Sequence, residues 1–207
     1  MKANSVLRDE AWFSLRGKWA TSALFAFVYL IFAGLLNAVC TLPFGTNAYA
    51  SNCGSIIGSI LICPMTWGFT VAFLRQFRGE EQQLGWLFSP YSQTKVWTTE
   101  ILKAVYTLLW CLLLIIPGIV KGYSYAMTEF LMQDNPELKD NAAIEESMRL
   151  MKGRKMKLFL LDLSFIGWVI LSLLTLGIAL FWIIPYIESA HAAFYEDAKQ
   201  EYYGVTE

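Results

Sequence analysis

The chain's one histidine, His191, follows Glu188 by three residues, a spacing that sets an imidazole and a carboxylate on one helix face. Glu-x-x-His supplies ligands in di-iron bundles, but those sites need two such motifs and further glutamates. A single copy would complete a metal site only across two copies of the chain, so no metal and no cofactor is expected. A neutral His–Glu hydrogen bond, or a wet cleft near the inner membrane face, suits the pair better. Asp162 stands about one turn into an apolar run, where a carboxylate is costly in lipid and must face other protein. Lys155, Lys157 or Ser164 can satisfy it there. Alternatively, Asp162, Glu188 and His191 form a proton or substrate site between the last two apolar runs.

Lys121 and Tyr125 complete the candidate ligand-binding set. They follow a proline-glycine pair in the stretch LLLIIPGIVKGYSYAMTEFLMQD, Leu112 to Asp134. A lysine beyond an unwound helix end would face an anionic ligand. A lysine beyond a plain outer turn would snorkel to the headgroups, and Tyr123 and Tyr125 would form part of an interfacial belt. No phosphate loop, nucleotide fingerprint, zinc spacing, or Ser or Cys nucleophile with a base occurs. No catalytic residue is therefore assigned, and the chain is expected not to be an enzyme.

The elements that must position these groups are membrane-like. Of 207 residues, 56% are hydrophobic and 16% charged, against about 25% charged in a soluble domain. Eight Trp and ten Tyr agree, since both favour the membrane interface. A net charge of −1 argues against a nucleic-acid partner. Ala20 to Val39 is charge-free and of spanning length, so it is expected to be a retained helix rather than a cleaved leader. Gly54 to Leu74, Trp97 to Ile116, Leu158 to Thr175 and the shorter Ile178 to Phe194 follow it. From Trp97 to Gln133 the chain is too long for one span, about 55 Å if helical.

Charge resolves that stretch. If Ile119 to Gln133 crosses back, all of the 16 Lys and Arg except Lys121 fall on one side, as the positive-inside rule requires. Six spans with both termini cytoplasmic follow, in a bacterial inner membrane. Pro117 then sits at a helix start, where its missing N–H costs little.

An Ile/Cys-Pro pattern recurs at Pro64, Pro117 and Pro185, each read as a helix break. EAWFSLRGKW (Glu10 to Trp19) and ESMRLMKGRKMKL (Glu146 to Leu158) both read as amphipathic helix, basic-Gly-basic, then span. The first carries the stripe Leu7, Ala11, Leu15 and Trp19. The second carries Ile144, Met148 and Met151, with Asn141 as N-cap and a Glu145–Arg149 pair. Lys152, Arg154, Lys155 and Lys157 are expected to meet anionic lipid as a topology anchor. Gly54-x-x-x-Gly58 suits close helix packing. Cys40 and Cys53 bracket a charge-free outer loop and could form a disulfide on an oxidising side.

The architecture is thus an all-α polytopic membrane bundle of about six helices in three hairpins, with interfacial amphipathic helices. It is read as one membrane domain over 1–207. Residues 1–19 form an interfacial helix, 20–74 the first hairpin and 97–133 the second. Residues 137–157 form a cytoplasmic amphipathic helix, 158–195 the third hairpin and 196–207 a cytoplasmic tail.

IPGIVKGYSYAMTEFLMQDNPEL, AAIEESMRLMKGRKMKLFLLDLSFIGW and LTLGIALFWIIPYIESAHAAFYED resemble the bacterial integral-membrane family known as domain of unknown function 975. The likeness is most specific from Leu112 to Asp197. It implies a multi-pass membrane protein and no established activity. More faintly, the chain resembles the membrane domain attached to some bacterial glycerophosphodiester phosphodiesterases, whose catalytic domain this chain lacks. Together these readings lead us to expect a non-catalytic module that binds a lipid or small molecule or supports a membrane partner. The alternative is a small permease-like carrier with its site at the proline-interrupted helices. Expected partners are membrane lipids, a second copy of the chain or another membrane protein.

Overall fold

In the computed structural model, residues 1–44 and 48–204 are described. Residues 45–47 of the charge-free loop and 205–207 of the tail lie outside them. Among the described residues the chain is all-helical, and four helical segments are long and apolar enough to cross a membrane: Trp19–Phe44, Tyr49–Phe77, Thr94–Leu113 and Lys155–Leu174.

The first hairpin pairs α2 (Trp19–Thr41) with α3 (Ala48–Phe77). Glycine allows the approach. A Cβ at Gly54 would lie 2.4 Å from the Cys40 carbonyl oxygen, and one at Gly58 would lie 3.3 Å from the Asn37 Cα. A short helix α4 (Gly85–Phe88) leads to the second hairpin, α5 (Thr94–Leu113) and α6 (Ile115–Tyr125). The reversal falls at Leu114, whose backbone is extended, so Pro117 occupies the third position of α6. Gly118 is the contact point, since a Cβ there would meet Cys111 Sγ at 2.4 Å. The return leg is broken: α6 gives way to α7 (Thr128–Asp134).

α8 (Asp140–Leu150) precedes the third hairpin, made of α9 (Lys155–Leu163), α10 (Ile166–Leu174) and α11 (Leu180–Tyr203). The α9–α10 break follows from Ser164, whose hydroxyl donates to the Leu161 carbonyl at 2.6 Å and competes with the helix ladder.

Several sequence expectations are corrected. Pro64 and Pro185 do not break their helices, because α3 and α11 run through them. Each removes one ladder bond, which surrounding packing tolerates. Asn141 is not the N-cap. The cap position is Lys139, and Asn141 instead donates to Glu145 at 2.8 Å. The α1 (Asn4–Leu15) stripe of Leu7, Ala11 and Leu15 does not lie on lipid. It is fully buried in a core with Phe130, Phe194 and Tyr195. Burying a Leu contributes about 2 kcal/mol. α1 runs antiparallel along α11, with the Lys2 amide donating to Asp197 at 2.8 Å near one end and Trp12 against Tyr186 near the other. The α8 stripe is likewise turned inward at Ile144 and Met151. The two basic-Gly-basic turns do match: Gly17 and Gly153 both adopt φ +80°.

Candidate functional site

Asp162 of α9 is held by two residues from other helices. His191 Nε2 of α11 lies 2.6 Å from Asp162 Oδ1, and the Tyr123 hydroxyl of α6 donates to Oδ2 at 2.9 Å. The local partners expected for Asp162 are thus not the ones used. Glu188 lies on the same helix as His191, and its Oε2 is buried without a partner. The expected His–Glu bond gives way to the His–Asp bond because α9 crosses α11 at that level.

A second buried set lies beside it. Lys103 of α5 bridges Glu100, at 2.9 Å, and Glu129 of α7. Glu100 and Lys103 stand in the first turns of the Trp97 to Ile116 run. The signal was there, since paired charges inside an apolar run must find partners within the protein. Among the described residues no three His, Cys, Asp or Glu side chains are grouped as metal ligands would be.

Lys121 is engaged within the protein. Its ammonium lies over the Trp110 ring at 4.8 Å and 3.8 Å from Met148 Sδ of α8. Tyr125 is buried, and Tyr123 serves Asp162 rather than a belt. In the basic cluster, Arg154 is engaged with Glu201 at 3.1 Å and lies 5.9 Å from the Tyr202 ring. Lys152, Lys155 and Lys157 make no ion pair with another described residue, and Lys152 is exposed. Cys40 and Cys53 are free thiols, so the expected staple is not formed. Cys40 sits against Gly54 and Gly58, while Cys53 is exposed.

Two features escaped the sequence altogether. The first is a charge hub at the polar end. Asp134 accepts from Arg78 at 2.6 and 2.8 Å, Lys199 at 2.6 Å and the Tyr195 hydroxyl at 2.8 Å. Burial alone would push this carboxyl up, but Arg78, Lys199 and Tyr195 override it and hold it at about 2. Arg78 also binds Glu196 at 2.6 Å, and despite its burial both carboxylates hold it protonated more firmly than a free guanidinium. The second is a cleft of ≈ 370 Å³ whose wholly apolar wall is Trp12, Trp19, Trp168, Trp182, Ile183 and Tyr186. Its residues come from α1, α2, α10 and α11, and only the fold brings them together.

An all-helical protein with helices of membrane-crossing length and buried ion pairs between them is the class these features define. The family described as "Protein of unknown function (DUF975)" matches residues 92–201, more than half of the chain, and the chain belongs to it. Neither the curated proteins nor the solved structures contain a match.

Proposed function

We propose that this protein is a non-catalytic module of the bacterial inner membrane, with both termini cytoplasmic, that binds a membrane lipid or a small apolar molecule. The Trp-walled cleft carries this reading. Its ≈ 370 Å³ falls within the range of about 300–1,000 Å³ typical of small-molecule sites. Tyr186 backs it, edge-on to Trp12 at 5.8 Å, Trp19 at 6.3 Å and Trp168 at 6.5 Å. Rigid rings with no polar wall favour an acyl chain or fused-ring body over a headgroup. The interior charges support the non-catalytic part, because Asp134, Lys103 and Asp162 are engaged by partners of their own rather than aimed into the cleft.

Native mass spectrometry of protein released from mild detergent tests this. A species of fixed mass and stoichiometry is expected on the wild type, and should be lost from a Trp12→Ala, Trp168→Ala variant that keeps its helical circular dichroism. Retention of the same species by that variant, or only scattered bulk lipid on the wild type, overturns it. A homo-oligomer or a membrane-protein partner would appear in the same spectrum as added protein mass.

A second reading, a small carrier, draws on the unpartnered Oε2 of Glu188 beside His191 and Asp162. Substrate-driven uptake into proteoliposomes that Glu188→Gln abolishes would favour it.

A further inference from the structure

The three hairpins do not reach equally far. In the first, α2 runs 23 residues without a charge, about 34 Å at 1.5 Å per residue. That crosses a hydrocarbon layer of about 30 Å.

The third hairpin can be measured against it. Phe181, the second residue of α11, packs edge-on to Phe27 with ring centroids 5.3 Å apart. Phe27 lies eight residues beyond Trp19, only about 12 Å along α2. The turn occupies residues 175–179, and at helical rise its tip stands about 8 Å beyond Phe181. It therefore ends roughly 14 Å short of the end of α2.

The second hairpin does reach that far. Cys63 of α3 shares a recess with Lys103 and Ala104. The ten residues from Lys103 to Leu113 rise about 15 Å, which matches the ten residues of α3 from Cys63 back to Cys53.

The tips themselves are bare apolar surface: Leu112 is 76% exposed, Leu114 64%, Leu174 78% and Leu176 93%. No charge occurs between Lys103 and Lys121, nor between Asp162 and Glu188. The first hairpin differs, since its connection supplies Thr41, Thr46, Asn47, Ser51 and Asn52. The third turn also pairs its own N–H groups. Every N–H from Thr175 to Leu180 has an acceptor within the segment, including Gly177 to the Ser172 carbonyl at 2.8 Å and Ala179 to Thr175 Oγ1 at 3.2 Å. Leu176 takes φ +52° to close that reversal. A turn surrounded by hydrocarbon must meet this condition, and a turn in water need not.

We infer that the third hairpin is re-entrant: it enters and leaves on the face that carries α8, and turns within the acyl chains. The first hairpin crosses. The partner of the third tip is lipid hydrocarbon, and this holds whether or not the Trp-walled cleft binds a ligand.

Single-cysteine proteins test it in right-side-out and inside-out vesicles. One keeps native Cys53; the other carries Leu176→Cys, each with every other native cysteine replaced by alanine. The probe is a membrane-impermeant maleimide, with labelling in SDS confirming each thiol. Hydrocarbon denies a thiol both the reagent and its reactive thiolate, so position 176 should label at least ~10-fold more slowly than Cys53 from either face. Cys53 should label from the face opposite α8. Labelling at 176 from that same face, at the rate of Cys53, overturns the inference in favour of a full crossing. Labelling from the α8 face overturns it by placing the tip in water. Failure of Cys53 to label from the far face overturns the crossing of the first hairpin.

Discussion

At the polar end of the molecule Asp134 gathers Arg78, Lys199 and Tyr195; at the apolar end Leu174 and Leu176 touch almost nothing of the protein. The first region is held by directional bonds between helices distant in sequence. The second is held by its own backbone and needs a surrounding solvent that is not water. Stability should therefore concentrate at the polar end, and membrane engagement at the other.

Asp134→Asn is the sharpest way to break that contrast. It leaves Arg78 and Lys199 without their shared carboxylate, a loss of about 3 kcal/mol expected from the cost of unpairing buried charges. The readout is the midpoint of unfolding in an SDS titration of protein in mild detergent. An unchanged midpoint would mean that the hub contributes nothing net.

The same carboxyl gives a pH signature of slightly smaller size. It is lowered from 3.8 to about 2 in the fold. Its contribution is complete above the unfolded value and is lost as pH falls through the folded one. About 2 kcal/mol should disappear between roughly pH 4 and pH 2. The Asp134→Asn variant should show a correspondingly flatter profile there.

The smallest effect belongs to the tip. Leu176→Ala should change the unfolding midpoint by less than about 0.5 kcal/mol, because the side chain has no core contacts to lose. A loss several times larger would show that the tip packs against protein, as in a dimer.

The sequence disclosed the direction of the chain better than its depth. The apolar stripes at Leu7, Ala11 and Leu15 and at Ile144 and Met151 marked α1 and α8. The basic-glycine-basic pattern marked two turns that share φ +80° at Gly17 and Gly153. The Leu7, Ala11, Leu15 stripe announced a buried face but could not say whether lipid or α11 covered it, since both are equally apolar. Lys121 was misdirected for a related reason. Snorkelling depends on which surface lies nearest, and α8 reaches that surface only through tertiary packing. Asp162 was expected to face other protein, and His191 meets it at 2.6 Å. Their pairing was not legible, because it depends on where α9 crosses α11. The four tryptophans of the cleft had no shared motif to find.

The packing of α1 against α11 also sets an order of events in the making of the protein. The Lys2 amide and the Asp197 carboxylate it binds are 195 residues apart. The apolar face of α1 emerges from the ribosome well before α11 and has no permanent cover until α11 has been synthesised, a contact of high sequence separation that closes slowly. Until then Leu7, Ala11 and Leu15 are open to chaperones, to proteases or to the bilayer surface. A chain that stalls before α11 stays in that state, marked for removal by the residues that bury themselves in the finished protein.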